Sequence, residues 1–137
     1  MDNVIFLLAA IIIVGAMLFA FISMGKRGRK IDVDKYRVRW LAVEQSLEKG
    51  KESTYHLAVL NADKLVDQAM RDCGYGGKTM GDRLKLAKDR FTKRDAIWEA
   101  HKLRNRIAHE PDVKVSFEQA RRAMAGFKRA MKDLGAI

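Results

Sequence analysis

Thr92–Pro111 reads TKRDAIWEAHKLRNRIAHEP. Ala96, Ala100, Leu103 and Ile107 recur in it at spacings of 4, 3 and 4, with Ile97 and Trp98 beside them. That is the stripe of a helix burying one face. Thr92 with Asp95 has the spacing of a capping box. Pro111 stops the helix and pushes Glu110 out of helical geometry. The chain on both sides repeats the pattern. Tyr36, Trp40, Val43 and Leu47 predict a helix over 34–49, with Asp32 or Asp34 as its cap and Gly50 as its end. Tyr55, Val59, Ala62, Val66, Ala69 and Cys73, widened by Leu65 and Met70, predict another over about 53–72. Gly74–Lys78 is a loop. Thr79 with Asp82 then caps a stripe of Met80, Leu84, Ala87 and Phe91. Ser116 with Gln119 opens a last helix along Ala120, Met124, Phe127, Met131 and Leu134, and Gly135 ends it.

No stretch alternates with the period of a strand, and the chain has only one proline and ten glycines. At 137 residues there is room for one domain. The prediction is all-α: an N-terminal single transmembrane helix followed by a four- or five-helix bundle. The stripes of Met, Trp and Phe read as core, and Cys73 as a small core residue rather than a nucleophile. A single cysteine also excludes an intramolecular disulfide framework and a Cys-rich zinc module.

The transmembrane expectation rests on Val4–Met24, VIFLLAAIIIVGAMLFAFISM, 21 residues without a charge. As a helix they span ~32 Å, about the hydrocarbon thickness of a bilayer. A cleaved signal peptide needs a basic start and a shorter apolar run. This chain starts Met1-Asp2-Asn3 and follows the run with Gly25-Lys26-Arg27-Gly28-Arg29-Lys30. By the positive-inside rule the short N-terminus is expected outside and the following domain in the cytoplasm. The chain thus divides into an anchor over 1–24, a basic juxtamembrane linker over 25–33 and a cytoplasmic bundle over 34–137. The formal net charge is +10. Residues 25–137 hold all 27 Lys and Arg against 16 acids, so that part carries +11.

Chemistry concentrates in His101–Glu110. Leu103 and Ile107 face the core, which leaves Arg104, Asn105 and His109 at or beyond its edge. Asn105 and His109 are four apart and share a face. Arg104 and His109 are five apart, about 140° around an ideal helix. They converge only if the helix distorts near Ala108 or if a second subunit supplies partners. A histidine in the last turn is favoured as imidazolium by the helix dipole. Other motifs carry less. Gly77-Lys78-Thr79 looks like the end of a phosphate loop, but Asp72 stands where its first glycine belongs and a helix precedes it. His56, His101 and His109 have no metal-ligand spacing, so neither metal nor cofactor is expected.

Arg104-Asn105-x-x-x-His109 resembles the R-[polar]-x-x-x-H signature of the HEPN superfamily, and a helical bundle with such a motif late on its penultimate helix is similar to that family. The likeness covers roughly residues 34–135. It implies a metal-independent endoribonuclease, working as a homodimer with two motifs in one cleft. Arg104 would bind the scissile phosphate, His109 would move protons, and Asn105 would orient either. Products would be a 2′,3′-cyclic phosphate and a 5′-hydroxyl. One toxin branch continues R-x-x-x-x-H-x-Y, where this chain has Pro111. Some relatives are non-catalytic, so the alternative is a membrane-tethered module that binds RNA or a protein.

Expected partners are therefore the lipid bilayer, RNA and a second copy of the chain. Lys102, Arg106, Arg121 and Arg122 are the candidates for phosphate contacts. No aromatic-rich RNA-reading motif lies among them. An ordinary structural account pairs Arg104 with Asp95 or Glu99, makes His109 a helix cap and gives Asn105 a local hydrogen bond.

Overall fold

The computed structural model describes residues 2–25 and 30–137, and the described residues contain helices and turns but no strand. The order is α1 (Asp2–Gly25), α2 (Val33–Gln45), α3 (Glu52–Asp72), α4 (Met80–Leu86), a 3₁₀ turn (Lys88–Arg90), α5 (Arg94–His109) and α6 (Phe117–Asp133). The basic residues Lys26, Arg27 and Arg29 of the expected linker lie outside the described residues.

Within α1, Asn3–Ile22 has a mean hydropathy of 3.1, and none of this stretch is buried in the protein. It has the length and composition of a membrane span or of a signal sequence. It is not a core helix of the bundle. Phe6, Phe19 and Phe21 are all at least three-quarters exposed, far more apolar surface than a soluble monomer leaves in water.

The bundle is built around α3, which packs against α2, α4, α5 and α6. Tyr36, Val59, Val66, Met70, Leu84, Ile97, Phe127 and Met131 fill its centre. Phenol burial and a 2.7 Å hydrogen bond from Tyr36 Oη to Asp72 hold Tyr36 protonated well above the usual range. Cys73 lies half-buried against this core, and burial pushes its thiol up. α5 and α6 approach tightly at Gly126, where a Cβ would stand 2.7 Å from the Ala96 carbonyl oxygen.

The helix ends follow local chemistry. Asp32 caps α2, accepting from the Lys35 N–H at 3.0 Å. The helix stops at Gln45 rather than 49, because Ser46 Oγ turns back onto the Val43 carbonyl at 2.6 Å. Thr79 with Asp82 and Ser116 with Gln119 form the two-way capping boxes read from their spacing. Gly74 and Gly135 take positive φ, and the next residues, Tyr75 and Ala136, donate to Met70 and Met131. These closures end α3 and α6.

Two other expectations fail. The Met80–Phe91 stripe is not one helix: α4 ends at Leu86 and a 3₁₀ turn follows, although Phe91 remains buried. The proposed Thr92–Asp95 capping box does not form either. Thr92 donates its N–H and its hydroxyl to Asp133 at 2.8 and 2.9 Å, and Arg90 Nε reaches the Asp133 carbonyl at 2.7 Å. The end of α6 takes this segment, and Lys93 caps α5 without a side-chain bond.

Candidate functional site

A cleft of about 990 Å³ opens between α3, α4 and α5. Its floor is polar because α3 carries a carboxylate on its buried face. Val59, Asp63, Val66 and Met70 follow the same 4-3-4 spacing, and Asp63 is only 3% exposed. A buried carboxylate needs partners, and α5 supplies them. His101 Nδ1 lies 2.8 Å from Asp63 Oδ1. Arg104 Nε faces Asp63 Oδ2 at 3.3 Å as an ion pair. This contact is off the N–H direction, so Nε makes no hydrogen bond.

Asn105 closes the circuit. Arg104 Nη1 donates to Asn105 Oδ1 at 3.0 Å, and Asn105 Nδ2 lies 3.3 Å from His101 Nε2. Arginine offers only donors, so the Asn105 oxygen must face it and the amide N–H groups must face His101. His101 then accepts at Nε2 and donates from Nδ1 to Asp63. Asp63, His101, Asn105 and Arg104 thus form a closed ring in which each group fixes the next. The Trp98 indole packs edge-on to the His101 imidazole, 6.1 Å between centroids.

This pairing turns α5 relative to the stripe read from its sequence. Ile97, Ala100 and His101 are buried, Leu103 and Ile107 are half-buried, and Ala96 is exposed. Asp63 draws His101 and Arg104 inward, so the inner face centres on them. Arg104 consequently pairs across to α3, not with Asp95 or Glu99.

His109 is exposed and lines the same cleft. His101, Asn105 and His109 are spaced by four and form one row along α5. The helix stays regular to its end, with the Glu110 N–H on the Arg106 carbonyl at 2.8 Å. No distortion near Ala108 brings Arg104 and His109 together: Arg104 folds inward to Asp63 while His109 stands on the rim. Both line one cleft without a hydrogen bond between them.

The walls are basic. Lys64, Lys78, Lys85 and Lys102 line the cleft. Lys102 pairs with Glu99 at 3.0 Å, whereas Lys64, Lys78 and Lys85 make no ion pair among the described residues. Arg83 has a different task. It is 4% exposed, bonds Asp67 at 2.6 and 3.1 Å and reaches the Gly77 carbonyl at 2.6 Å. It pins the glycine-rich connector to α3, and Gly77-Lys78-Thr79 accordingly joins two helices.

Three of the four residues read as phosphate contacts share one groove. Lys102, Arg106 and Arg122 line a groove between α5 and α6, Lys102 also borders the cleft, and Arg106 leans toward Glu110 at 3.5 Å. Arg121 pairs with Glu118 at 3.6 Å and lines neither. Among the described residues, no three His, Cys, Asp or Glu side chains cluster as metal ligands would.

Sequence reasoning passed over Asp63 and His101. The available signal was an acid on the apolar stripe of one helix and an imidazole on that of another. No protein-family model, curated protein or solved structure matches this chain.

Proposed function

We propose that this protein is a membrane-anchored, HEPN-like domain that binds RNA in the α3–α4–α5 cleft and cleaves it without a metal. One observation carries the reading: Arg104, Asn105 and His109 line a single cleft whose walls hold three lysines without an ion pair among the described residues. The lysines attract a polyanion. Arg104 keeps Nη2 free of hydrogen bonds among the described residues, which leaves it a donor for a phosphate oxygen. His109 is the exposed imidazole of the row and exchanges protons with substrate. The 2′-oxygen attacks phosphorus, its proton leaves, and the bond to the 5′-oxygen breaks as that oxygen is protonated. One accessible imidazole serves one of these transfers. Water, or His109 of a second copy in a homodimer, serves the other. α1 acts as an uncleaved span, and Lys26, Arg27, Arg29 and Lys30 place the bundle in the cytoplasm.

A second reading has its own support. Arg104 is already committed to Asp63 and Asn105, and its side chain is only 35% exposed. That favours a tethered, non-catalytic module that binds RNA or a protein through the cleft.

The full chain in detergent micelles, given labelled single-stranded RNA with and without EDTA, tests both. His109 is exposed, so His109→Ala leaves the bundle intact. The nuclease reading expects it to slow cleavage about 10²- to 10⁴-fold, with no effect of EDTA. Equal background rates for both proteins would refute the nuclease reading. The module reading expects that equality, with binding retained, and with Lys78→Ala weakening it at low salt and reducing its salt dependence.

A further inference from the structure

We propose that the outward face of α2 docks on the surface of the bilayer that α1 spans, as a short interfacial helix selective for anionic headgroups. The proposal rests on the reading of α1 as an uncleaved anchor, and on nothing about the cleft.

The first observation is apolar surface where the fold gives no reason for it. Outside α1 the bundle exposes only four large aliphatic side chains among the described residues: Val38, Leu41, Leu57 and Leu86. Val38 and Leu41 are together, three residues apart on α2, 71% and 52% exposed. Tyr36 and Trp40 of the same helix are buried, and Val43 packs on the core beside them. At 100° per residue those three point to one side, and Val38, Leu41 and Ala42 point to the opposite side, with Asp34 and Gln45 one turn beyond them at its two ends. α2 therefore carries a second apolar patch in its middle turns, and the bundle uses only the inner one.

The second observation is charge. On the same projection Lys35 and Arg39 flank the outer patch on one side and Arg37 on the other. None of the three has a carboxylate partner among the described residues; Arg39 reaches the Gln68 amide at 3.3 Å. Asp32 caps the helix and Glu44 pairs with Lys128 at 2.7 Å, while Asp34, exposed and without a basic partner among the described residues, projects onto the N-terminal end of the outer face. From residue 26 to 39 the chain holds seven Lys and Arg against two Asp. An apolar strip between rows of cations is the pattern of a helix lying in an anionic interface.

The third is reach. α1 ends at Gly25 and α2 begins at Val33. Eight residue steps extend at most about 28 Å, so α2 stays close to the point where α1 leaves the membrane. Docking is then effectively intramolecular, and two aliphatic side chains with a few cations suffice where a free helix of this size would not bind.

The experiment uses the full chain with Cys73→Ser and a single polarity-sensitive label at Val38→Cys or, as a control on α4, at Leu86→Cys. The chain is reconstituted into phosphatidylcholine vesicles, with or without about 30% phosphatidylserine. Flotation of the vesicles is read first. The expected result on anionic vesicles is a blue-shifted label at position 38 that loses at least about half of its quenching by aqueous acrylamide. The label at position 86 stays fully quenched, and Leu41→Asp returns position 38 to water. A chain that floats with both labels equally quenched would overturn this proposal and leave the anchor reading standing. A chain that does not float would overturn the anchor reading and this one with it. Equal protection on neutral vesicles would overturn the selectivity for anionic headgroups.

Discussion

Asp63→Ala removes the one group that both His101 and Arg104 of α5 meet. Two costs follow. The His101 N–H, on a side chain only 10% exposed, loses a 2.8 Å acceptor. An orphaned buried donor costs about 1–3 kcal/mol. Arg104 loses its counter-ion, but its side chain is 35% exposed and partly screened. That cost is about 1 kcal/mol, well under the ~3–5 kcal/mol of a fully buried pair. Together the substitution destabilises the bundle by about 2–4 kcal/mol, which lowers Tm by roughly 10–25 °C for a domain of this size. Guanidinium and thermal unfolding of the full chain in micelles, followed by tryptophan fluorescence, measure it. Asp63→Asn keeps an acceptor for His101 and should cost about half as much. A double cycle with His101→Ala should return a coupling above about 1 kcal/mol. If Asp63→Ala costs less than about 0.5 kcal/mol, the ring is not a structural unit, and the inward rotation of α5 needs another cause.

Two further outcomes are expected. Gly126→Ala places a methyl 2.7 Å from the Ala96 carbonyl oxygen and 3.1 Å from its carbon, both backbone atoms. The helices must separate, at about 1–3 kcal/mol, and an unchanged denaturation midpoint would contradict the close approach. Hydrogen bonds from Thr79, first from its backbone and then from its hydroxyl, hold the Asp82 carboxyl below the usual carboxylate range. A depressed folded-state pKa gives stability that is complete above the unfolded value, about 3.9, and is lost as pH falls through the folded value. Asp82→Ala should therefore flatten the acid limb of the stability profile below about pH 4, and identical acid limbs would remove the capping box from the account.

The elements were legible because they depend on neighbours in sequence. Stripes at 4-3-4 spacing placed the helices, and two of three proposed capping boxes formed. The third shows where such reading stops. Thr92 has the correct spacing to Asp95, but Asp133 approaches from forty-one residues away and takes both of its donors. A long-range acceptor defeats a local one without leaving a trace in the local pattern. α2 ended early for a related reason: the Ser46 hydroxyl competed for a helical carbonyl.

The candidate site was half legible, and the missing half changes its meaning. The motif names Arg104, Asn105 and His109, which suggests an arginine and a histidine acting side by side. The structure instead joins Arg104 and Asn105 to His101 and Asp63. Neither of those belongs to the motif, and each looks like a flaw on an apolar stripe when read alone. A charge at a buried helical position is costly unless a complementary group meets it. Two such flaws on different helices are therefore a contact prediction: Asp63 among Val59, Val66 and Met70 required a donor, and His101 between Ile97 and Arg104 was one. This geometry assigns the motif residues unequal work. Arg104 and Asn105 are bound into the ring, and Arg104 can offer substrate only what Asp63 leaves unused. His109 is the one motif residue with no structural duty, so its substitution separates chemistry from folding where Arg104→Ala cannot.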